Sequence, residues 1–408
     1  MKRPGFSLVR PVAKIARVAR SDGAAVVAAR ALRKAAERLS AGSGQQFPVF
    51  LDDIVADPKD VAPAANWRSR RVGDPLVINW VTTPPGPGSG GHTTMLRMVE
   101  YLESRGHECR IYLYDRYLGD ARAHESVIRE HWPKLRSRVF DVRAGLAPAD
   151  AAFATGWPTA HILARSSVPG KRFYLVQDFE PYFHPLGSEY VLAELTYRFG
   201  FHGITAGRWL ADRLQADYGM TCDWFDFGCD SDIYRVRNQA QRNGVVFYAK
   251  PDVGRRAYVL GILGLQAFAR RHPEVEIHCY GNRSSSLPFP AVDHGRLTPV
   301  QLNDVYNRCA AGLSLSLTNV SLVPWEMMAS GCVPVVNDAE QNRVVLGEGG
   351  VRYAALEPDA LADALSEAVT AAEHGRRALQ LSTAVSRASW EEAGRLVESV
   401  LDREIHAG

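Results

Sequence analysis

The stretch AGLSLSLTNVSLVPWEMMASGCVPVVND, residues 311–338, decides the fold. Its first part, 311–317, is apolar or small and predicts a buried strand. Pro324 then stands where the first turn of a helix would begin, Gly331 ends that helix, and 333–336 predicts a second buried strand. A loop followed by a helix N-terminus presents unpaired backbone N–H groups, which suit a phosphate.

The same alternation of short apolar runs and amphipathic segments extends over most of the chain. It predicts parallel sheets with helices on both faces, which is a doubly wound, Rossmann-like α/β architecture. The polar segment 228–243 interrupts the alternation and predicts an interdomain linker. The predicted organisation is a basic amphipathic extension and connector at 1–74, an N-terminal, acceptor-side domain at 75–230, a C-terminal domain at 240–390 that binds the donor, and a C-terminal helix at 391–408.

Length and composition agree with this organisation. The chain has 408 residues, 46% of them hydrophobic and 23% charged, which is an ordinary globular composition with room for two cores. Its six cysteines contain no CxxC pair, which indicates reduced thiols and not a disulfide framework or a zinc site. No run of 18 apolar residues occurs, so no spanning helix is predicted. We expect a cytoplasmic protein that does not bind nucleic acid.

Basic character is concentrated at the N-terminus. Residues 1–40 hold ten Lys or Arg and two acidic residues, against a net charge of +3 for the whole chain. Their basic and apolar residues alternate in an amphipathic pattern that suits peripheral contact with an anionic membrane surface, here its inner face. A solvated extension would show the same composition, so both interpretations stay open.

Cations follow the first strand of the predicted second domain. Lys250 ends that strand, and Arg255 and Arg256 come just after it. Cations at a helix start oppose the helix dipole, so their presence there favours a diphosphate-binding role over simple solvation. Glu326 lies in the predicted helix after 311–317, where it would either face solvent near the helix start or accept hydrogen bonds from a ligand.

A glycine-rich loop, TTPPGPGSGGH, follows the first strand of the predicted first domain. It occupies the phosphate-binding position of doubly wound domains, but it does not fit the full pattern of GxGxxG with the usual acidic residue about 20 positions later. Two such domains predict a ligand held in the cleft between them. A glycosyltransferase, a two-domain binding protein and a dehydrogenase all fit this geometry.

The second half of the chain resembles the GT-B glycosyltransferases of family 4. In that family an Arg-x4-Lys pair follows the first strand of the C-terminal domain, and Lys250 and Arg255 match its spacing with the two residue types exchanged. The family's Glu-x7-Glu motif falls on Thr318 and Glu326. Its downstream small-residue pattern is present as Ala329, Gly331 and Val335-Val336.

The resemblance implies roles for these residues. Lys250 and Arg255 would hold the donor diphosphate and stabilise the charge of the leaving group, and Glu326 would bind the ribose. Thr318 and the neighbouring Asn319 are assigned to donor binding, and the Arg296 backbone in the turn 295–297 would contact the base. Gly90 and Gly91 would close over the diphosphate from the other domain. The family retains the anomeric configuration and needs no metal or cofactor, and the segment 230–232, Asp-Ser-Asp, is predicted to be a turn.

Two departures concern the transferred sugar. The first motif glutamate is Thr318, and the family's His-Asp pair, which follows an N-domain strand, is Gln177-Asp178. We assign Asp178 a catalytic role and Gln177 a role in donor binding, at the positions of the family's His-Asp pair. Because the phosphate side is retained, the departures indicate a different donor sugar. Three segments, 89–102, 174–199 and 224–234, are similar to a bacterial branch of rhamnan and S-layer-glycan rhamnosyltransferases, and the whole likeness spans about 75–390.

The sequence therefore predicts a retaining glycosyltransferase that moves L-rhamnose from dTDP-β-L-rhamnose to a surface glycan or lipid-linked acceptor. One alternative is a catalytically silent scaffold that binds a nucleotide sugar, which Thr318 and Gln177 would explain. A nicotinamide-dependent oxidoreductase is a third hypothesis, which the incomplete dinucleotide fingerprint disfavours.

Overall fold

The computed structural model describes residues 47–63, 71–86, 89–282, 286–386 and 388–406. The chain from Leu51 onward forms one compact unit that contains both sheets. The basic segment 1–40 lies outside the described residues, so its amphipathic helix and its membrane contact stay predictions. The exact domain boundaries also stay predictions. Among the helices that the structure describes, none is both long and apolar enough to cross a membrane.

The first sheet has seven parallel strands. They are β1 (Val77–Thr82), β2 (Glu108–Leu113), β3 (Arg138–Asp141), β4 (Ala151–Ala154), β5 (Lys171–Val176), β6 (His202–Ala206) and β7 (Cys222–Phe225). Their order in the sheet is β3-β2-β1-β4-β5-β6-β7. The central strands β1 and β4 are buried along their whole length, which explains their unbroken apolar runs.

Helices connect these strands, except between β3 and β4. They are α1 (Gly90–Ser104), α2 (Ala121–His131), α3 (Trp157–Arg165), α4 (Ser188–Leu195) and α5 (Arg208–Tyr218). Short 3-10 turns at Glu180–Phe183 and Thr196–Arg198 flank α4. The sheet reverses its strand order between β1 and β4, so the loop after β1 opens at a topological switch point, where ligands bind in doubly wound folds.

The second sheet has six parallel strands and the same plan. Its strands are β8 (Gly244–Ala249), β9 (Glu276–Gly281), β10 (Val292–Asp293), β11 (Ala311–Leu313), β12 (Val333–Asn337) and β13 (Arg352–Ala354), in the order β10-β9-β8-β11-β12-β13. Its helices are α6 (Tyr258–Arg271), α7 (Pro299–Arg308), α8 (Val323–Ala329), α9 (Glu340–Leu346), α10 (Pro358–Thr370) and α11 (His374–Ala384). The strand order reverses between β8 and β11. The predicted fold class, two doubly wound α/β domains, is confirmed.

The last helix, α12 (Trp390–His406), packs on α1 of the first sheet. Gly394 allows this close approach, because a Cβ there would lie 2.3 Å from the ring of Tyr101. The Tyr101 hydroxyl donates a hydrogen bond to Glu398 at 3.1 Å, and the Arg97 guanidinium stacks 4.5 Å from the centre of the Trp390 ring. The end of the chain therefore ties back to the first sheet.

The strand that the sequence predicts at 311–317 is shorter than expected. Strand β11 ends at Leu313, although residues 314–316 remain buried. The Ser314 amide still donates to Val335, but the Ser316 amide donates to the side chain of Asn337 at 2.9 Å. A side chain thus replaces the ladder partner, and the backbone turns out of the sheet toward the facing domain.

The helix that the sequence predicts from residue 256 begins later, at Tyr258. Arg255 and Arg256 lie in a short 3-10 turn, Gly254–Arg256, and Ala257 has a positive φ of 48° that separates this turn from α6. The Leu317 amide donates to the Arg255 carbonyl at 2.9 Å, which holds the turn against the loop after β11. The two arginines therefore precede the helix, and the expected conflict with its dipole is smaller.

Candidate functional site

The carboxyl edges of the two sheets meet through Asn319, in the loop after β11. Its side-chain amide donates to the carbonyl of Gln177, after β5, and to the carbonyl of Ala206, at the end of β6, both at 3.0 Å. Asn319 is 1% exposed, so these bonds are shielded from water. The carboxyl edges of the two sheets, where doubly wound domains bind ligands, therefore face each other and are in contact at Asn319.

Asp178 is the residue that joins the charged groups of both domains. The Thr318 hydroxyl donates to its Oδ2 at 3.0 Å, and the Nε of Arg255 lies 3.5 Å from the same oxygen. Burial raises the pKa of Asp178, while Arg255 and the Thr318 hydrogen bond oppose that rise. Three residues assigned from the sequence, separated by up to 140 positions along the chain, therefore form one cluster.

Arg255 and Arg256 point to different partners. The Arg255 guanidinium lies 4.4 Å from the centre of the Phe183 ring, across the interdomain contact. Arg256 donates to the Ser316 hydroxyl at 2.9 Å, and burial, followed by the charge of Arg255, lowers its pKa. The sequence counts Arg256 among the cations that favour diphosphate binding, and in the structure its guanidinium is half-buried against Ser316.

Lys250 lies at the end of β8, near the same edge. Its Nζ is 3.5 Å from Asn282 Oδ1 and 5.8 Å from the centre of the Tyr248 ring. The Asn282 amide in turn donates to Asp252 at 2.7 Å. Lys250 is therefore oriented by neutral partners, and its charge is available to an anion at this end of the sheet.

Gly90 and Gly91 form the start of α1, at the switch point of the first sheet. Ser89 precedes the helix without a side-chain cap, so the first N–H groups have no partner from the capping residue. The Gln177 amide donates to the Gly91 carbonyl at 3.0 Å, and a Cβ on Gly91 would lie 3.8 Å from that amide. Gln177 is thus engaged with its own domain.

Glu326 lies in the first turn of α8, partly exposed and close to the linker. Burial, followed by the charge of Asp230, raises its pKa to about 7, while Arg97 and a hydrogen bond from Tyr234 oppose that rise. Arg97 and Asp230 form a close ion pair. This pair joins α1 to the linker and was not predicted, because the sequence assigns Asp230 to a turn and gives no signature for Arg97.

The remaining assignments lie at the edges of this region. Arg296 is exposed and follows Gly295, which has a φ of +61° and whose carbonyl accepts from the Gly281 amide at 2.8 Å. The turn therefore lies at the carboxyl end of β9. Asp230 begins the predicted turn, since its carbonyl accepts from Tyr234 at 2.8 Å. Among the described residues, no group of three His, Cys, Asp or Glu side chains could hold a metal ion.

A cleft of about 480 Å³ opens beside Arg255 and Thr318. The residues that line it include Tyr182, Phe183 and His184, which follow Asp178 closely in sequence. These three residues were not predicted, although the run EPYFHP places two rings and an imidazole a few positions after the Gln177-Asp178 pair. A second cavity, of about 630 Å³, lies between α12 and the amino ends of the first sheet, away from this cluster.

The chain is similar to known proteins in sequence and in fold. Residues 243–366 match a protein family described as WsaF, C-terminal domain. Over 396 residues the chain is 29% identical to the O-antigen biosynthesis protein RfbC of Myxococcus xanthus. That alignment covers 93% of this chain and 30% of the relative, so the chain spans less than a third of the length of the curated relative it matches.

Solved structures resemble the chain as a whole at low identity. Anabaena HepE in complex with UDP and glucose has a TM-score of 0.62 and 15% identity, and a TarM variant from S. aureus in complex with fondaparinux, α-GlcNAc-glycerol and UDP has 0.64 and 9%. Each match covers 80% of this chain and 99% of the other. A glycosyltransferase from Rickettsia africae has a TM-score of 0.59 and 10% identity, with coverage of 81% and 99%. The chain has the GT-B fold, and its second domain is similar to the C-terminal domain of WsaF.

Proposed function

We propose that the chain is a glycosyltransferase of cell-surface glycan biosynthesis that uses a nucleoside-diphosphate sugar. One observation carries the proposal: Asp178, Thr318 and Arg255 bring the carboxyl edges of both sheets into contact, with Lys250 at the same edge. Basic side chains at this position of a two-domain fold suit a diphosphate. The match to WsaF and the name of the Myxococcus relative support a surface glycan as the product.

The proposed reaction retains the configuration at the sugar's anomeric carbon. The acceptor oxygen forms a bond to C1, the bond from C1 to the β-phosphate oxygen breaks, and the diphosphate leaves with that electron pair. The acceptor proton passes to an oxygen of the leaving diphosphate. Arg255 and Lys250 stabilise the charge that develops there, which is the largest catalytic contribution we assign to this chain. Membership of family 4 and a metal-free reaction are part of the same proposal.

We further propose that the donor is dTDP-β-L-rhamnose and that the reaction takes place in the cytoplasm, at the inner face of the membrane. Thr318 uses its hydroxyl on Asp178, and Gln177 uses its amide on Gly91. The Thr318 hydroxyl hydrogen and one amide hydrogen of Gln177 are then unavailable to a sugar hydroxyl at the positions that the resemblance assigns to the transferred sugar. A 6-deoxy sugar has one hydroxyl fewer to satisfy, whereas an unpaired hydroxyl is costly.

Transfer assays with a panel of nucleotide sugars test the proposal. Equal concentrations of dTDP-β-L-rhamnose and UDP-glucose are compared, with the delipidated surface polysaccharide of a strain lacking this protein as acceptor. We expect transfer from the rhamnose donor, with UDP-glucose a poor substitute. Preference for UDP-glucose would overturn the sugar assignment alone. Nucleotide-sugar binding without any transfer or hydrolysis would instead support the silent scaffold, and binding of NAD(P) would contradict both.

Arg255→Ala tests the assigned catalytic role in the same assay. Loss of a preorganised cation facing the leaving group should lower turnover about 100-fold or more. The matched control is Arg376→Ala, which removes an arginine that is 71% exposed on α11. If the Arg255→Ala protein turned over at the rate of this control, the diphosphate would be held by other residues.

A further inference from the structure

The cleft beside Arg255 and Thr318 has two walls from different domains. One wall is the loop after β5 with Tyr182, Phe183 and His184, and the other is the turn at 252–254 after β8. Its volume of about 480 Å³ lies within the range of pockets that bind small ligands. Both domains therefore contribute to one opening at the edge where the proposed reaction occurs.

The aromatic rings of this cleft are exposed but held in place. Tyr182 is 42% exposed, yet its hydroxyl accepts from Arg213 at 3.0 Å and its ring packs edge-on against Phe179 with centres 4.7 Å apart. Phe183 is 39% exposed and lies against the Arg255 guanidinium. Because these rings lose little further freedom when a ligand covers them, they offer preorganised apolar surface.

Polar groups are present on both walls. The indole N–H of Trp157 donates to Nε2 of His184 at 3.2 Å, and an indole only donates, so the proton of this imidazole lies on Nδ1. Burial lowers the pKa of His184, which favours this neutral form. Opposite it, the Asp252 carboxylate is held by the Asn282 amide. The cleft therefore offers an N–H donor, carboxylate acceptors and aromatic faces.

We infer that this cleft binds the acceptor, as a pyranose ring of the growing glycan stacked on Tyr182. A sugar ring presents C–H groups on its faces, which suit the electron-rich face of an aromatic ring, and hydroxyls at its rim, which suit His184 and Asp252. Lys250, Gly91 and Glu326, which are assigned to the donor, are not among the described residues lining the cleft, whereas Arg255 and Thr318 are. Acceptor and donor would then meet at Arg255 and Thr318. This inference rests on the proposed glycosyl transfer.

Steady-state kinetics of Tyr182 variants test the inference, with dTDP-β-L-rhamnose as donor and the same delipidated polysaccharide as acceptor. Tyr182→Ala removes the ring, and Tyr182→Phe removes only the hydroxyl. We expect Tyr182→Ala to raise the acceptor KM about 3- to 10-fold, the equivalent of one aromatic contact, while the donor KM is unchanged. Tyr182→Phe should stay close to wild type. Tyr117→Ala is the matched control, because Tyr117 is 72% exposed on the loop after β2 and is not among the described residues that line this cleft.

The outcomes separate the two proposals. If wild-type protein transfers no sugar from any donor of the panel, the proposed function fails. If wild type transfers sugar but Tyr182→Ala leaves the acceptor KM unchanged, or changes it no more than Tyr117→Ala does, the acceptor site lies elsewhere and the glycosyl transfer stands. A rise in the donor KM alone would assign the ring to the donor and overturn the inference.

Discussion

Replacement of Asp178 by asparagine should tighten the binding of a nucleoside diphosphate. Asp178 Oδ2 lies 3.5 Å from Nε of Arg255, the residue assigned to the donor diphosphate. A bound diphosphate must share that guanidinium with the carboxylate and is repelled by it. Asparagine removes the negative charge but keeps an oxygen that can accept the Thr318 hydrogen bond. The predicted effect is therefore electrostatic, with the local geometry kept.

The separation of the two charges sets the magnitude. Two unit charges 3.5 Å apart attract by about 5 kcal/mol at an effective dielectric constant of 20. The Arg255 side chain is 32% exposed, so solvent screens part of this attraction. We expect the Asp178 carboxylate to reduce the binding free energy of the diphosphate by about 1.5–3 kcal/mol. Its removal then corresponds to a roughly 10- to 100-fold lower Kd in the variant.

Isothermal titration calorimetry with dTDP measures the effect directly. Two variants serve as controls. Asp212→Asn removes the same charge from an exposed pair on α5, and it should leave the Kd unchanged. Thr318→Val removes the hydrogen bond but leaves the Asp178 charge, and it should not tighten binding. Because the competition is electrostatic, the gain in Asp178→Asn should shrink at high salt.

Weaker binding in Asp178→Asn would refute this reasoning. It would mean that the carboxylate chiefly orients Arg255 for the ligand. Loss of that orientation would then weaken binding by more than the removal of the repulsion between Asp178 and the diphosphate strengthens it. An equal gain in Asp212→Asn would show that net protein charge, and not this contact, controls the affinity.

Two further predictions concern glutamates whose pKa is raised in the folded protein. Glu180 is 6% exposed, and burial raises its pKa from 4.5 to about 7; its stabilising contribution is therefore complete below pH 4.5 and is lost as the pH rises through 7. Urea unfolding followed by tryptophan fluorescence measures the free energy of unfolding at each pH. Glu180→Gln should remove about 3 kcal/mol of its pH dependence, whereas Glu130→Gln, at an exposed position of α2, should not. Parallel pH profiles for wild type and Glu180→Gln would contradict the assignment. Glu326→Ala should weaken dTDP binding about 10- to 100-fold with an unchanged melting temperature, and an unchanged Kd in calorimetry would return Glu326 to a helix-start role.

The sequence predicted most of the fold because each element has its own local signal. Buried parallel strands appear as short apolar runs, and their helices as amphipathic segments of the expected length. Two elements were missed. Strand β10 has two residues, too few for a pattern, and α9 has seven residues and begins after Ala339, which provides no capping side chain.

Tertiary contacts account for the boundaries that the sequence misplaced. Ala257 is a residue type that favours helices, yet it has a positive φ and delays α6 to Tyr258. The cause is the hydrogen bond from Leu317 to the Arg255 carbonyl, between segments about 60 residues apart. No local pattern could predict such a contact.

The site was predicted in part for a general reason. Residues that follow strands of a parallel sheet share one edge, so Gln177, Asp178, Lys250 and Arg255 were expected near a common cleft. What the sequence could not give is which of them pair. Tyr182 and Phe183 were missed for the same reason, because an exposed ring becomes a binding surface only when neighbours from other elements hold it.

The hydrogen bond between Thr318 and Asp178 also changes how the substitution at Thr318 is interpreted. From the sequence alone, threonine in place of the family's glutamate is a loss on the sugar side. In the structure its hydroxyl donates to Asp178, whose carboxylate also faces Arg255. A glutamate at this position would bring a second carboxylate against Asp178, and two carboxylates that share one site cannot both ionise without cost. In this chain threonine supplies a neutral hydrogen-bond donor to Asp178 from the facing domain, so the departure is better explained as one half of an interdomain pair than as decay of the site.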